Sequence, residues 1–194
     1  MIPRLSDLKV LAAKEAEVGV IIEFYNGQIV HPKGFTLGYI WEWPDSVLES
    51  EHTYIQWLFP LMTTSQYVRS SPTITSDEIS VFEASPDLRS RLLKSLLVML
   101  KFYGFSISEA KDKKGMPTIG QGSDFFYKKD KWLSSQNHNM MRISRILSSL
   151  SLLGLGEYAI AFHNALLRTN EEYPGNMSKT TIEIWNRIVK PHGR

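Results

Sequence analysis

Apolar residues recur at every third or fourth position along much of this chain, which is the spacing of one face of an α-helix. The pattern is strongest between Ser85 and Gly104, where the repeating side chains are Leu88, Leu92, Leu96, Met99, Leu100 and Tyr103. A serine cap, a proline in the first turn and a glycine after the last turn are typical helix ends. The sequence therefore predicts a central helix over residues 86–103, buried on most sides.

Capping residues mark the starts of several further helices. They are Ser6 or Asp7, Asp45, Thr75, Asn137 or Asn139, and Ser178. The first of these helices is predicted to run to Phe24, and the second to run without a break from Asp45 to Leu58. We predict one all-α domain of about seven helices over residues 1–194, with a C-terminal helix at about 178–190.

Two segments interrupt the helical pattern. Residues 31–44 combine prolines and glycines with large aromatic rings, which predicts an irregular connection with a short extended piece at 39–41. Residues 106–123 contain several glycines and a lysine cluster, which predicts one long Gly- and Lys-containing surface loop.

Several classes of site are excluded by the residue types that are missing. The chain has no cysteine, so disulfides, Cys-ligated zinc and iron–sulfur clusters are ruled out. The five histidines form no His-x-x-x-His pair, and the glycine-rich stretch 115–122 lacks the lysine of a phosphate-binding loop. We therefore expect neither a metal ion nor a cofactor.

The hydropathy pattern also bears on location. No apolar run approaches the roughly 20 residues that a membrane span requires. The first residues reach Asp7 and Lys9 too early to form the core of a signal peptide. We expect a soluble cytoplasmic protein, or a nuclear one in a eukaryote, with no membrane insertion. The sequence does not give the oligomeric state.

Two polar clusters are denser than a helical core needs. In the first, His52 and Gln56 lie four residues apart on one helix face, with Trp57 beside them. The second begins at Asn137 and places His138, Arg142 and Arg145 on one side of a helix. The candidate ligand-binding residues of the two clusters are His52, Gln56, Trp57, Asn137, His138, Arg142 and Arg145.

The second cluster places positive charge in the first turns of its helix, where the helix dipole is also positive, so an anion is expected nearby. One alternative is a protein carboxylate, for which the candidates are Glu49, Glu51 and Asp87. The other is a ligand anion, namely a phosphate, a carboxylate terminus or a nucleic-acid backbone.

Four segments resemble a known family. Residues 52–61, His-Thr-Tyr-Ile-Gln-Trp-Leu-Phe-Pro-Leu, resemble the signature of the opioid growth factor receptor conserved region. Residues 75–82, 92–104 and 137–147 resemble three further parts of that region in the same order and spacing. The resemblance extends from about residue 24 to residue 167. The chain is similar to single-domain members of the family, such as those of microbes and fungi.

The resemblance implies a receptor-like binding role. Animal members are described as binding an enkephalin-type peptide and restraining growth, with a nuclear or perinuclear location. They also carry a long repeat-containing tail, for which we expect no counterpart in this protein. The resemblance assigns no catalytic residue.

These observations favour a non-enzymatic module that binds a peptide or an anionic small molecule in a recess lined by the two clusters. This hypothesis requires His52 and His138 to converge. The alternative is an enzyme that uses a histidine as general base on a phosphorylated or carboxylated substrate. A third hypothesis is nucleic-acid binding through residues 101–145, which hold nine Lys/Arg against four Asp/Glu.

Overall fold

Ten α-helices and two short strands make up the described part of the chain, residues 19–66, 68–108 and 115–190, in this computed structural model. In chain order they are α1 (Val20–Tyr25), α2 (Leu37–Trp41), α3 (Asp45–Ser50), α4 (Ile55–Leu58), α5 (Ser76–Ala84), α6 (Pro86–Tyr103), β1 (Phe105–Ser108), β2 (Thr118–Gln121), α7 (Phe125–Lys128), α8 (Asn139–Leu152), α9 (Gly156–Glu172) and α10 (Lys179–Ile188). The predicted all-α class is confirmed. There are more helices than the seven predicted because five of them span only four to six residues, too few for an apolar period to be visible.

The central helix α6 forms as predicted. The Ser85 hydroxyl accepts the backbone N–H of Leu88 at 3.3 Å, and Pro86 occupies the first turn. Gly104 ends the helix in the left-handed conformation, with φ +85°. One broad face of the helix is buried, whereas Leu97 on the other side is 44% exposed. The buried apolar side chains are Leu88, Leu92, Leu96, Met99, Leu100, Phe102 and Tyr103.

The C-terminal half packs around helix α8, which contacts α9 and α10. Two buried tryptophans join separate elements by hydrogen bonds. Trp185 of α10 donates its indole N–H to Ser144 of α8 at 2.8 Å, and Trp132, which follows α7, donates to the carbonyl of Tyr103 at the end of α6 at 3.0 Å. An indole N–H needs an acceptor when its ring is buried, so both contacts fix the packing angle as well as adding apolar area.

A short antiparallel hairpin lies inside the segment predicted as a loop. Strand β1 pairs with β2, with Ile107 opposite Ile119, and residues 109–114 between the strands lie outside the described residues. Phe105 and Ile119 are buried, whereas the Ser106 and Gln121 side chains are exposed. Four residues give only two alternations of burial, which is too short a pattern to separate from a loop in the sequence.

Two local predictions for residues 31–58 are wrong. Residues 39–41 are not extended but belong to α2, because the Thr36 hydroxyl accepts the N–H of Tyr39 at 3.1 Å and caps that helix. The predicted helix from Asp45 to Leu58 is broken into α3 and α4 at residues 51–54. At the break, the carboxylate of Glu51 accepts the backbone N–H groups of His52 and Thr53, each at 3.0 Å. A side chain that binds these donors competes with the helix for them.

The predicted first helix lies mostly outside the described residues. Of that helix, the structure describes only α1, which starts after Gly19 in an extended conformation, with φ −67° and ψ 156°. The helix therefore does not continue through Gly19. Within the described ranges, no helix is both long and apolar enough to cross a membrane.

Candidate functional site

The break between α3 and α4 meets the start of α8. The rings of His52 and His138 lie 5.4 Å apart, centroid to centroid, and are nearly perpendicular. Arg142 Nη2 lies 3.0 Å from His52 Nδ1. The two clusters therefore meet, which the binding hypothesis requires. Ligand binding by the clusters stays a prediction.

A cavity of about 340 Å³ opens where the two segments meet. We call it the recess, and its lining residues are His52, Ile55, Gln56, Ser65, Val68, His138, Met141, Arg142 and Arg145. Five of the seven predicted site residues therefore lie together. Helical spacing could have identified Met141, because it follows His138 by three positions at the start of α8. It does not apply to Ile55, because His52 lies in the break before α4. Ser65 and Val68 belong to an irregular segment without such a signal.

Trp57 and Asn137, the other two predicted residues, do not line the recess. Trp57 is only 7% exposed and packs edge-on against Phe24 and His31, with ring centroids 5.0 and 5.3 Å away. Asn137 accepts the backbone N–H of Asn139 at 2.9 Å and supports the first turn of α8. Both residues position the walls of the recess.

Arg142 is buried and its guanidinium is saturated with acceptors. Its two terminal nitrogens contact the carbonyl oxygens of Leu48, Glu49 and Glu51, His52 Nδ1 and Asn139 Oδ1, at 2.8–3.4 Å. The three carbonyls belong to the last turn and C-cap of α3, where a helix leaves its carbonyl groups without intrahelical partners. A cation at this end also complements the helix dipole. Arg142 therefore holds α3 against α8.

Arg145 contacts the C-terminal end of α4 as Arg142 contacts that of α3, but more of its N–H groups are without an acceptor in the described part of the chain. It is half-buried, and Nη1 donates to the carbonyl of Phe59, the C-cap of α4, at 3.0 Å. Within residues 19–66, 68–108 and 115–190 the guanidinium has no second hydrogen bond and no ion pair. Burial lowers the pKa of Arg145 from its usual value. A partly desolvated cation without a carboxylate is a candidate for binding an anion.

The expected protein carboxylate is a minor partner of these arginines. Glu49 Oε2 lies 3.9 Å from Arg142 Nη1, farther than the backbone carbonyls. Glu51 instead pairs with Lys33 at 2.8 Å. Burial alone would raise the pKa of Glu51, but hydrogen bonds from Lys33 and Thr53 lower this pKa to about 2. In the described part of the chain, Asp87 forms no ion pair with Arg142 or Arg145. Of the three candidate carboxylates, Glu49 is the one that lies beside the second cluster, 3.5 Å from His138 Nε2 and 3.9 Å from Arg142 Nη1. The hydrogen bonds of Arg142 go mainly to the carbonyl groups at the end of α3.

The two histidines differ in their surroundings. Arginine can only donate, so His52 Nδ1 accepts from Arg142 in this geometry. His138 Nε2 is buried 3.5 Å from Glu49 Oε1 and has no hydrogen bond within the described residues. Burial and the nearby charge of Arg142 lower the pKa of His138, and Glu49 opposes this shift. The surroundings of His138 therefore favour its neutral form.

We expect a two-dimensional NMR titration to give His138 a pKa below 6.5, and Glu49→Gln to lower it further by removing the opposing charge. Because the folded pKa lies below the unfolded one, His138 makes its full contribution to stability above about pH 6.5 and loses it as the pH falls towards the folded pKa. A His138 pKa above 6.5, or one unmoved in Glu49→Gln, would contradict this assignment.

The described residues hold no group of three or more His, Asp or Glu side chains placed to bind a metal ion. The basic stretch 101–145 is also less open than its composition suggests. Lys128 pairs with Asp45 and Asp124, and Lys129 pairs with Asp130. Residues 111–114, which contain three of its lysines, lie outside the described residues.

Comparison with known proteins identifies the family of this chain. The family model for the opioid growth factor receptor conserved region matches residues 14–191. The chain therefore belongs to that family, and the resemblance seen in the sequence is confirmed.

Curated relatives support the same assignment. The chain is 35% identical over 141 residues to the opioid growth factor receptor of Homo sapiens, covering 71% of this chain and 20% of the relative. It is 33% identical over 179 residues to opioid growth factor receptor-like protein 1 of Mus musculus, covering 87% of this chain and 36% of the relative. The chain thus spans only about a fifth to a third of these relatives. No solved structure matches it.

Proposed function

We propose that this protein is a non-enzymatic binding module that holds the anionic group of a peptide or a small molecule in the recess. The observation that carries the proposal is Arg145, a half-buried cation that lines the recess with one backbone hydrogen bond and no carboxylate among the described residues. Charge-assisted hydrogen bonds from such a guanidinium are strong and geometrically specific. The cavity volume of about 340 Å³ lies at the lower end of the range for ligand pockets, about 300–1,000 Å³.

A peptide is the first ligand class to test. The curated relatives are named receptors of opioid growth factor, and this chain contains the region that it shares with them. Because the chain covers about a fifth of those receptors, peptide binding is transferred here only as a proposal.

The arrangement supports binding over catalysis by a histidine base. A general base must reach the proton that it removes. His52 Nδ1 already accepts from Arg142, and His138 Nε2 is buried beside Glu49. Nucleic-acid binding has less support, because Lys128 and Lys129 are already paired with carboxylates.

Selection from a random peptide display library tests the proposal, with Arg145→Gln as the discriminating variant. Glutamine keeps one N–H donor for the carbonyl of Phe59 and removes the charge, so the fold should be retained. We expect peptides that bind the parent protein and lose about tenfold or more in affinity with Arg145→Gln. They should shift the backbone amide signals of residues 138–145 in NMR spectra.

Arg187→Gln is the matched control, because Arg187 is an exposed arginine of α10, far along the chain from the recess segments. Selected peptides should bind it as tightly as they bind the parent. Failure to select any peptide that depends on Arg145, or signal shifts confined to other surfaces, would reject the recess as the binding site.

A further inference from the structure

Two arginines line the recess, Arg142 and Arg145. Arg142 is compensated by the carbonyl groups of α3, and it lies 3.9 Å from the carboxylate of Glu49. The histidines of the recess also contact groups of the protein, since His52 Nδ1 accepts from Arg142 and His138 Nε2 lies 3.5 Å from Glu49 Oε1. Arg145 is thus the one lining cation of the described recess without a negatively charged or saturating partner. One negative charge on a ligand balances the single charge of Arg145.

The donors of Arg145 suit a planar acceptor. A guanidinium has five N–H groups in a fixed fork, and Nη1 uses one of them on the carbonyl of Phe59. The remaining N–H groups of the guanidinium can bind both oxygens of one carboxylate through parallel hydrogen bonds. A phosphate dianion would bring more charge than the single cation balances.

Apolar side chains share the recess with Arg145. Ile55 comes from α4, Val68 from the segment between α4 and α5, and Met141 from α8. Met141 is 48% exposed, a high value for a large apolar residue that lines a concave surface. Ile55 is only 3% exposed, so an apolar ligand group would remove mainly the surface of Val68 and Met141 from water, which stabilises the complex by roughly 25 cal/mol per Å². Thioether side chains also adapt to different apolar shapes.

From this charge balance and lining we infer that the recess binds a monoanionic terminal carboxylate whose neighbouring group is apolar, with the carboxylate on Arg145 and the apolar group against Ile55, Val68 and Met141. This inference rests on the proposed binding function and specifies its ligand class. Such a carboxylate occurs at the C-terminus of a peptide that ends in an aliphatic residue, and also in a small aliphatic acid.

Calorimetric titration with defined probes tests the inference. The probes are N-acetyl-Gly-Gly-Leu with a free carboxylate, the same peptide with a C-terminal amide, N-acetyl-Gly-Gly-Gly with a free carboxylate, 4-methylpentanoate and inorganic phosphate. We expect the first probe to bind and the amide and the glycine peptide to bind at least about tenfold more weakly. Phosphate should bind more weakly than the first probe. Tighter binding of the leucine peptide than of 4-methylpentanoate identifies a peptide as the source of the carboxylate, and equal binding identifies a small acid.

The variants separate failure of this inference from failure of the proposed function. Arg145→Gln should lose the free-acid peptide, Arg187→Gln should retain it, and Met141→Ser should weaken the leucine peptide but not the glycine peptide. Equal affinity for acid and amide, preference for phosphate, or no binding of the leucine acid up to about 10 mM would overturn the inference. Library peptides that depend on Arg145 but tolerate C-terminal amidation would leave the proposed function standing and reject only the terminal carboxylate.

Discussion

Replacing Arg142 with alanine is expected to lower the free energy of unfolding by about 2–4 kcal/mol, because it removes the donor shared by three carbonyl groups at the end of α3. The carbonyl of Leu48 is buried at this contact, so water cannot fully replace the guanidinium there. For a chain of this length the loss corresponds to a decrease of roughly 5–15 °C in the thermal midpoint. Thermal unfolding followed by circular dichroism at the helical signal measures the midpoint.

Two control variants test whether the lost hydrogen bonds cause the decrease in the thermal midpoint. Arg187→Ala removes an exposed arginine and should change the midpoint by less than about 2 °C. Arg142→Lys should recover only part of the loss, because an ammonium group cannot span the same set of acceptors as a planar fork. A midpoint for Arg142→Ala close to that of the parent would show that these hydrogen bonds do not hold α3 in place.

The second large effect concerns Gly104→Ala, for which we expect a loss of about 2–5 kcal/mol in the free energy of unfolding. At φ +85° an L-residue with a side chain is strained, by about 1–2 kcal/mol. A Cβ at this position would also lie 2.7 Å from the Cα of Phe125, which is backbone and cannot rotate away. The end of α6 and the start of α7 would therefore have to separate.

Gly27→Ala is the matched control for Gly104→Ala. Gly27 has φ +75°, but a Cβ there meets no atom within 4 Å, so only the backbone strain remains. We expect a loss of about 1–2 kcal/mol for Gly27→Ala in urea unfolding experiments. Equal losses in the two variants would mean that the approach of Phe125 to Gly104 has no energetic consequence.

Local signals in the sequence predict the long helices well. The ends of α6 are set by Ser85, Pro86 and Gly104, and each acts within one turn of its own position. The break between α3 and α4 is different, since it depends on Glu51 binding two backbone N–H groups and on Arg142, which is about 90 residues away. Nothing in the pattern of residues 45–58 reveals that distant contact.

Part of the recess could also be predicted from local signals in the sequence. Helical spacing places His138, Arg142 and Arg145 on one face, and the structure keeps them together. Trp57 was expected beside Gln56, but neighbouring residues on a helix point about 100° apart, so Trp57 turns into the core against Phe24. The two arginines donate mainly to backbone carbonyl groups. Every residue has such a group, so no residue type in the sequence marks these acceptors.

The two arginine contacts also bear on the order in which the recess assembles. Helices α3 and α4 have six and four residues, well below the roughly 12–15 at which an isolated helix becomes stable in water. Arg142 and Arg145 reach them across sequence separations of 94 and 86 residues, and closing such loops costs chain entropy before any contact is gained. The recess walls should therefore form late in folding, and their amides should exchange with solvent deuterium faster than those of α6.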